Sequence, residues 1–214
     1  QSVRVPMWHL SLVPALALMF VTTAYGAITN FLPVSMRELD PVSGAALAGV
    51  MLGALNFAAM ISRYVAGRIM DRRGYPGTVL IPFQITAAIG VALMAVILFM
   101  QLPAWTMLIA ALFYGAGFGG VQNEALTLLF YRLPRHKTSE ASAVWNIGFD
   151  GGTGLGSTLL GALVAGYGYA GAFGAGVVIL VAGVVMTLAD FVLGRTRVSE
   201  TNDIRTRLRR MRKV

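Results

Sequence analysis

The 214-residue sequence contains no cysteine. Disulfides and thiolate metal centres are therefore excluded, and nothing reports on a redox compartment. Charge is scarce as well. Only 12% of the residues are Asp, Glu, Lys or Arg, about half the share of a soluble domain, while 57% are hydrophobic. Water is not the principal solvent for such a surface. Histidine is limited to His9 and His136, both near segment ends. That argues against an intramembrane serine protease, which needs a histidine beside its serine deep in the membrane. The nine acidic residues face seventeen basic ones, a net charge of +8. A basic balance points to nucleic acid only where the charges form a patch on a soluble fold. Here they fall between apolar segments, so no nucleic acid, metal or cofactor is expected.

What the sequence has in quantity is long apolar runs. A membrane-spanning helix needs about 20 of these residues, and six such segments can be marked out: 7–36, 43–70, 77–100, 104–133, 139–165 and 171–193. No charged residue occurs between Gly74 and Asn123; that stretch is too long for one span, and Gln101-Leu102-Pro103 divides it. A Gly166-Tyr167-Gly168-Tyr169 turn separates the last two segments. The fold class is thus an all-α integral membrane bundle over residues 7–194, with a short lead-in at 1–6 and a basic tail at 195–214. The first apolar run is too long for a cleavable signal. Because residue 1 is glutamine, the chain is expected to be processed, trimmed or part of something longer.

Lys and Arg orient the bundle, since they concentrate on the cytoplasmic side. Arg4, the group Arg63, Arg68, Arg72 and Arg73, the group Arg132, Arg135 and Lys137, and eight residues after the sixth segment all fall on alternate junctions; only Arg37 lies on the other side. Six spans with both termini cytoplasmic follow. The tail, ending in "IRTRLRRMRKV", suits either a solvated segment that enforces topology or a contact for anionic lipid.

Certain motifs stand out. After the second segment comes "SRYVAGRIMDRRGYPG", in which Gly67, Asp71, Arg72 and Gly74 form G-x-x-x-D-R-x-G. Gly67 is expected to let a neighbouring helix approach closely, and Asp71 to pair with a cation such as Arg132 or with a helix N-terminus. The motif resembles the loop signature of the major facilitator superfamily. "AYGAITNFLP", "LFYGAGFGGVQNEAL" and "NIGFDGGTGLGSTLLGALVAGYG" follow in the order seen in the carboxy-terminal half of that family's drug and sugar efflux permeases. Two features depart from the pattern. Tyr75 and Pro76 stand where two basic residues are usual, and "PRHKTSEAS" lacks a glycine. The resemblance implies two inverted three-helix repeats that form half of a twelve-helix unit. Its first and fourth helices would line a cavity, its second and fifth would meet the other half, and its third and sixth would face lipid. The amino-terminal half, or a second copy, is the expected partner, and a bacterial inner (plasma) membrane the expected location.

Polar residues collect in the first, fourth and fifth segments: Thr22, Thr23, Tyr25, Asn30, Gln122, Asn123, Glu124, Asn146 and Asp150. At 1.5 Å per residue Asp150 lies about 16 Å inside its helix and Glu124 about 14 Å. A charge at that depth costs at least about 2.5–3.5 kcal/mol and normally faces a bundle interior or a wet cavity. Either carboxylate is thus a candidate for the coupling proton. The competing expectation for Asp150 is a permanent interhelical bond or a pair with Arg63. Tyr25, Asn30, Trp145 and Phe149 suit a cavity lining or a plain core equally. The glycines of "FDGGTGLGS" and "YGAGFGG" do not form a nucleotide loop, because they lie inside spans rather than between a strand and a helix; small residues there permit tight helix contact. The expected function is a secondary transporter moving a small molecule by alternating access, with proton-coupled efflux implied by resemblance. The alternative is a non-transporting scaffold or assembly factor on a transporter-like fold.

Overall fold

The structure is a computed structural model that describes residues 7–193. The lead-in and the basic tail, with the topological or lipid role expected of that tail, lie outside the described residues. Those residues form six α-helices: α1 (Met7–Leu39), α2 (Gly44–Arg73), α3 (Leu80–Phe99), α4 (Met107–Arg132), α5 (Thr138–Leu155) and α6 (Gly161–Leu193). No strand occurs among them.

The helix ends follow local chemistry. Between α1 and α2, the Asp40 carboxylate accepts the backbone N–H groups of Val42 and Ser43 and the Ser43 hydroxyl, which closes a tight Asx turn. Those bonds, the hydroxyl's foremost, hold the Asp40 carboxyl below its ordinary value. Helix α2 stops at Gly74, whose left-handed backbone (φ 77°) returns its N–H to Met70 O at 2.8 Å. Arg72 and Arg73 occupy the last turn, where the helix dipole favours cations. The expected break after α3 falls at Gln101, which takes φ 53° and donates its side-chain amide to Leu98 O. Pro103 then leads into a short 3₁₀ turn, Ala104–Thr106, before α4.

Among the described residues five stretches are long and apolar enough to cross a membrane: Trp8–Leu39, Gly44–Arg73, Leu80–Phe99, Ala104–Arg132 and Arg135–Leu193. The last spans 59 residues, about three times the helix length that a bilayer requires. It contains a wide π-helical turn at Gly156–Leu160 and a break at Gly168, where φ is 67° and ψ −177°. Glycine alone adopts that conformation without steric penalty. The expected four-residue turn is therefore a single non-helical residue, and its neighbours remain helical on both sides.

Helices α1 and α4 form the centre. Helix α2 packs along α4 and α5 along α1, α3 packs on α4, α6 packs on α1, and α3 meets α6. Exchanging α1–α3 with α4–α6 leaves this pairing unchanged. The core runs from Leu18, Val21 and Ile28 of α1 through Tyr114 and Phe118 of α4 to Phe173 of α6. Between α3 and α6, Gln84 donates to Thr187 Oγ1 at 3.0 Å, a polar link within a contact otherwise made of apolar side chains.

Glycines set the closest helix approaches. Gly152 of α5 and Gly156 of the π-helical turn that continues it lie against α1 so tightly that a Cβ on Gly156 would sit 1.8 Å from Thr23 O. On α4, Gly115 and Gly119 lie against Leu55 and Ala59 of α2 in the same manner. Gly67 does not behave as expected. No atom lies within 4 Å of where its Cβ would be, because it occupies a side of α2 that no described helix covers.

Candidate functional site

The residues singled out in the sequence separate into three groups. The first is an aromatic cluster at the meeting of α1, α4 and α5. Tyr25 stacks on Phe118 with centroids 4.5 Å apart and planes 12° apart. Phe118 lies beside Tyr114 at 5.6 Å and Phe149 at 6.1 Å, and Phe149 stacks on Trp145 at 5.3 Å. Hydrogen bonds fix both edges of the cluster. The Tyr114 hydroxyl donates to Val21 O at 2.7 Å, and the Trp145 indole donates to Gln122 O at 3.1 Å. Tyr114 and Phe118 are buried, whereas Tyr25, Trp145 and Phe149 are half-buried and keep one side open.

The second group is polar and exposed. Arg63, Asn146 and Asp150 are exposed on the outer sides of α2 and α5, and Asn30 is exposed on α1. Arg63 donates to the Gln122 side-chain oxygen, so the expected alternative pair with Asp150 does not form. Asp150 has no ion pair among the described residues and points away from this six-helix bundle rather than into it. It lies twelve residues into α5, about 18 Å along the helix axis. Asn30 donates to Ser157 Oγ at 2.9 Å, and Asn146 donates to Ser142 O within its own helix. Asn56, which the sequence reading passed over, is exposed on α2 seven residues before Arg63. An amide inside an apolar run was the signal available for it. Gly49 and Gly53 on the same helix and Gly154 on α5 have open space in front of them.

The third group lies within the bundle. Thr22 bonds Leu18 O and Met19 O and reaches across to Gly148 O at 3.2 Å, and Thr23 bonds Met19 O at 2.8 Å. Both are core residues rather than a cavity lining. Glu124 has no exposed surface. One of its oxygens accepts the N–H of Gly77 at 2.7 Å and of Val79 at 3.4 Å, holding the α2–α3 junction against α4. Gln122 and Glu124 are two residues apart and thus about 200° apart around the helix. Glu124 faces the junction while Gln122 faces Arg63, and the structure does not bring Glu124 and Asp150 to one surface. Asn123 is half-buried, and its amide nitrogen has no hydrogen-bond partner among the described residues.

The loop motif is also rearranged. Asp71, Arg72 and Gly74 are exposed at the end of α2. Asp71 does not reach Arg132. That arginine pairs with Asp190 of α6 at 2.6 Å, with both side chains largely buried. Asp190 and Arg132 lie at matching depths near the ends of their helices, and equal depth was the one cue in the sequence.

A family model matches residues 2–157, nearly three quarters of the chain, and its description is Major Facilitator Superfamily. The chain belongs to the Major Facilitator Superfamily. Its members are transporters, so a multi-pass membrane protein engaged in transport follows. Comparison with curated proteins gives no match. Within this superfamily chain the match covers α1 to α5 and ends in the wide turn at Gly156–Leu160.

Proposed function

We propose that this chain is half of a secondary transporter that moves a small molecule by alternating access. In this reading Gly168 separates two membrane crossings, giving six in all, with both termini cytoplasmic and the two helix triplets related as inverted repeats. Such repeats carry their substrate site near the midplane. The observation that carries the reading is the exposed polar surface on α1, α2 and α5. Asp150, Asn146, Arg63, Asn56 and Asn30 are exposed along helices otherwise fit for lipid. A carboxylate left in hydrocarbon costs at least about 2.5–3.5 kcal/mol, so a wet cavity or a second helical half covers this face. The open glycines Gly49, Gly53 and Gly154 leave room for its helices. The covering half is an amino-terminal six-helix segment or a second copy.

Within the cavity, Tyr25, Trp145 and Phe149 offer flat apolar sides to the substrate, while Asn30, Gln122, Asn123 and Asn146 supply hydrogen bonds. Of the two carboxylates Asp150 is the better placed to carry a coupling proton, since Glu124 is enclosed and engaged with backbone N–H groups. Proton-driven efflux is the direction that the resemblance favours. The test uses the full chain in liposomes under an imposed pH gradient, with ethidium and a labelled disaccharide as probes. Gradient-driven accumulation is expected to be lost in Asp150→Asn while exchange at equal pH persists. Undiminished accumulation in that variant would exclude Asp150 as the proton carrier, and no flux of any probe by the unaltered protein with its covering half present would favour a scaffold.

A further inference from the structure

A second cavity lies away from the polar face, at the end of the bundle where α2 stops and α3 begins. Its volume is about 350 Å³, and α1, α3, α4, α6 and the α2–α3 junction wall it. Its polar lining includes Arg73, Thr78, Arg132 and Asp190. Two guanidinium groups and one carboxylate thus line the cavity. Asp190 engages Nη2 of Arg132 at 2.6 Å, while Nη1 of the same arginine and the Thr78 hydroxyl oxygen have no hydrogen-bond partner among the described residues. A buried donor left unpaired is costly, which marks the wall as short of an acceptor.

The rest of the lining is apolar: Val13, Leu128 and Phe191 contribute to it. A small inorganic anion has no use for those side chains, whereas a lipid has a use for both kinds of wall. Arginine forks match phosphate oxygens bidentately. Basic pockets between helices at the membrane surface suit anionic headgroups. We propose that this cavity is a phosphate site, occupied by the headgroup phosphodiester of an anionic phospholipid. Free phosphate offers the same chemistry without the apolar contacts. The site is built wholly from this chain, so it stands whether or not the transport reading holds.

The test places the full chain in nanodiscs of phosphatidylcholine, with or without a minor fraction of phosphatidylglycerol, and counts retained lipid by native mass spectrometry. One phosphatidylglycerol is expected to stay bound at a salt concentration that screens loosely held surface lipid. Arg73→Gln is expected to weaken that retention roughly fivefold, the equivalent of one surface arginine. Arg73 is exposed and makes no hydrogen bond among the described residues, so this variant leaves the fold intact. Arg132→Lys keeps the charge facing Asp190 and removes the fork; it is expected to weaken retention as well. Inorganic phosphate is added to the phosphatidylcholine discs as a separate arm. Thermal stabilisation by phosphate, with no retained phosphatidylglycerol, would assign the cavity to the free anion. Retention unchanged in both variants, or no effect of either ligand, would overturn the site.

Discussion

The seam between α1 and α5 and the seam between α2 and α4 solve the same problem with different parts. Both bring backbones together through glycines spaced four residues apart: Gly148, Gly152 and Gly156 in the first, Gly115 and Gly119 in the second. In the α2–α4 seam the glycines sit on the central helix. In the α1–α5 seam they sit mainly on the peripheral one, and α1 answers with Gly26, whose Cβ would lie 2.0 Å from Thr153 O. The α1–α5 seam is stitched by hydroxyl and amide bonds, through Thr22 to Gly148 O and Asn30 to Ser157, and it continues into the π-helical turn. Lipid is as apolar as a leucine side chain, so helices in a bilayer associate by close packing rather than by escaping water. The α2–α4 seam uses packing alone, apart from the Arg63–Gln122 bond at its exposed edge. The α1–α5 seam adds polar anchors beside an irregular turn, an arrangement that holds a distorted helix in register.

The two seams can be broken separately. Gly156→Ala is expected to cost most, about 3 kcal/mol, the upper part of the usual range for overpacking, because the added methyl meets the Thr23 carbonyl at 1.8 Å. Gly119→Ala should cost slightly less, since its clash with Ala59 O comes at 2.1 Å. Both are read from the denaturation midpoint in detergent. The double variant sharpens the comparison. The seams share no contact partner, so the two losses should add to within about 0.5 kcal/mol; a larger deviation would show that the seams move together.

The opposite change is expected at Gly154, on the uncovered side of α5. Nothing lies within 4 Å of its Cβ position, and Gly154→Ala should stabilise the isolated bundle by about 0.5–1 kcal/mol through helix propensity. If a second half packs there, the same variant will lose flux while gaining stability. Thr22→Val removes a cross-seam bond and should cost about 0.6 kcal/mol, the average for interhelical bonds in a membrane. The smallest effect concerns Asp40, whose folded carboxyl titrates below its unfolded value. Its contribution is present above the unfolded pKa and fades as pH falls through the folded one. Midpoints measured on the acid side should therefore drop more steeply for the native chain than for Asp40→Asn.

Much of this architecture was legible in the sequence, wherever the cause is local. Gly74 ends α2, and Gln101-Leu102-Pro103 ends α3, because left-handed backbone and proline act within a few residues. The charge clusters after α2 and α4 marked helix ends for the same reason. Which side of a helix faces inward was not legible. In a soluble helix the polar stripe identifies the outside, but here both sides are apolar. Gly67 and Gly119 therefore look alike in sequence, although one faces open space and the other a carbonyl. Asp150 and Glu124 likewise share depth and chemical type, yet one is exposed and the other fully enclosed. Arg132 is one cation expected for Asp71, whereas its partner is Asp190, fifty-eight positions along the chain. That pairing depends on α4 packing near the end of α6, which no local signal records.

The break at Gly168 has a mechanical consequence. Helix surrounds it on both sides, so the neighbouring backbone bonds are held by the hydrogen-bond ladder and do not turn freely. A change in tilt between the limb before Gly168 and the limb after it has only two soft rotations through which to pass, the φ and ψ of one residue. The joint works as a universal coupling rather than a tether. It transmits twist from one limb to the other while permitting bend, and a side chain on its single pivot would stiffen both limbs at once.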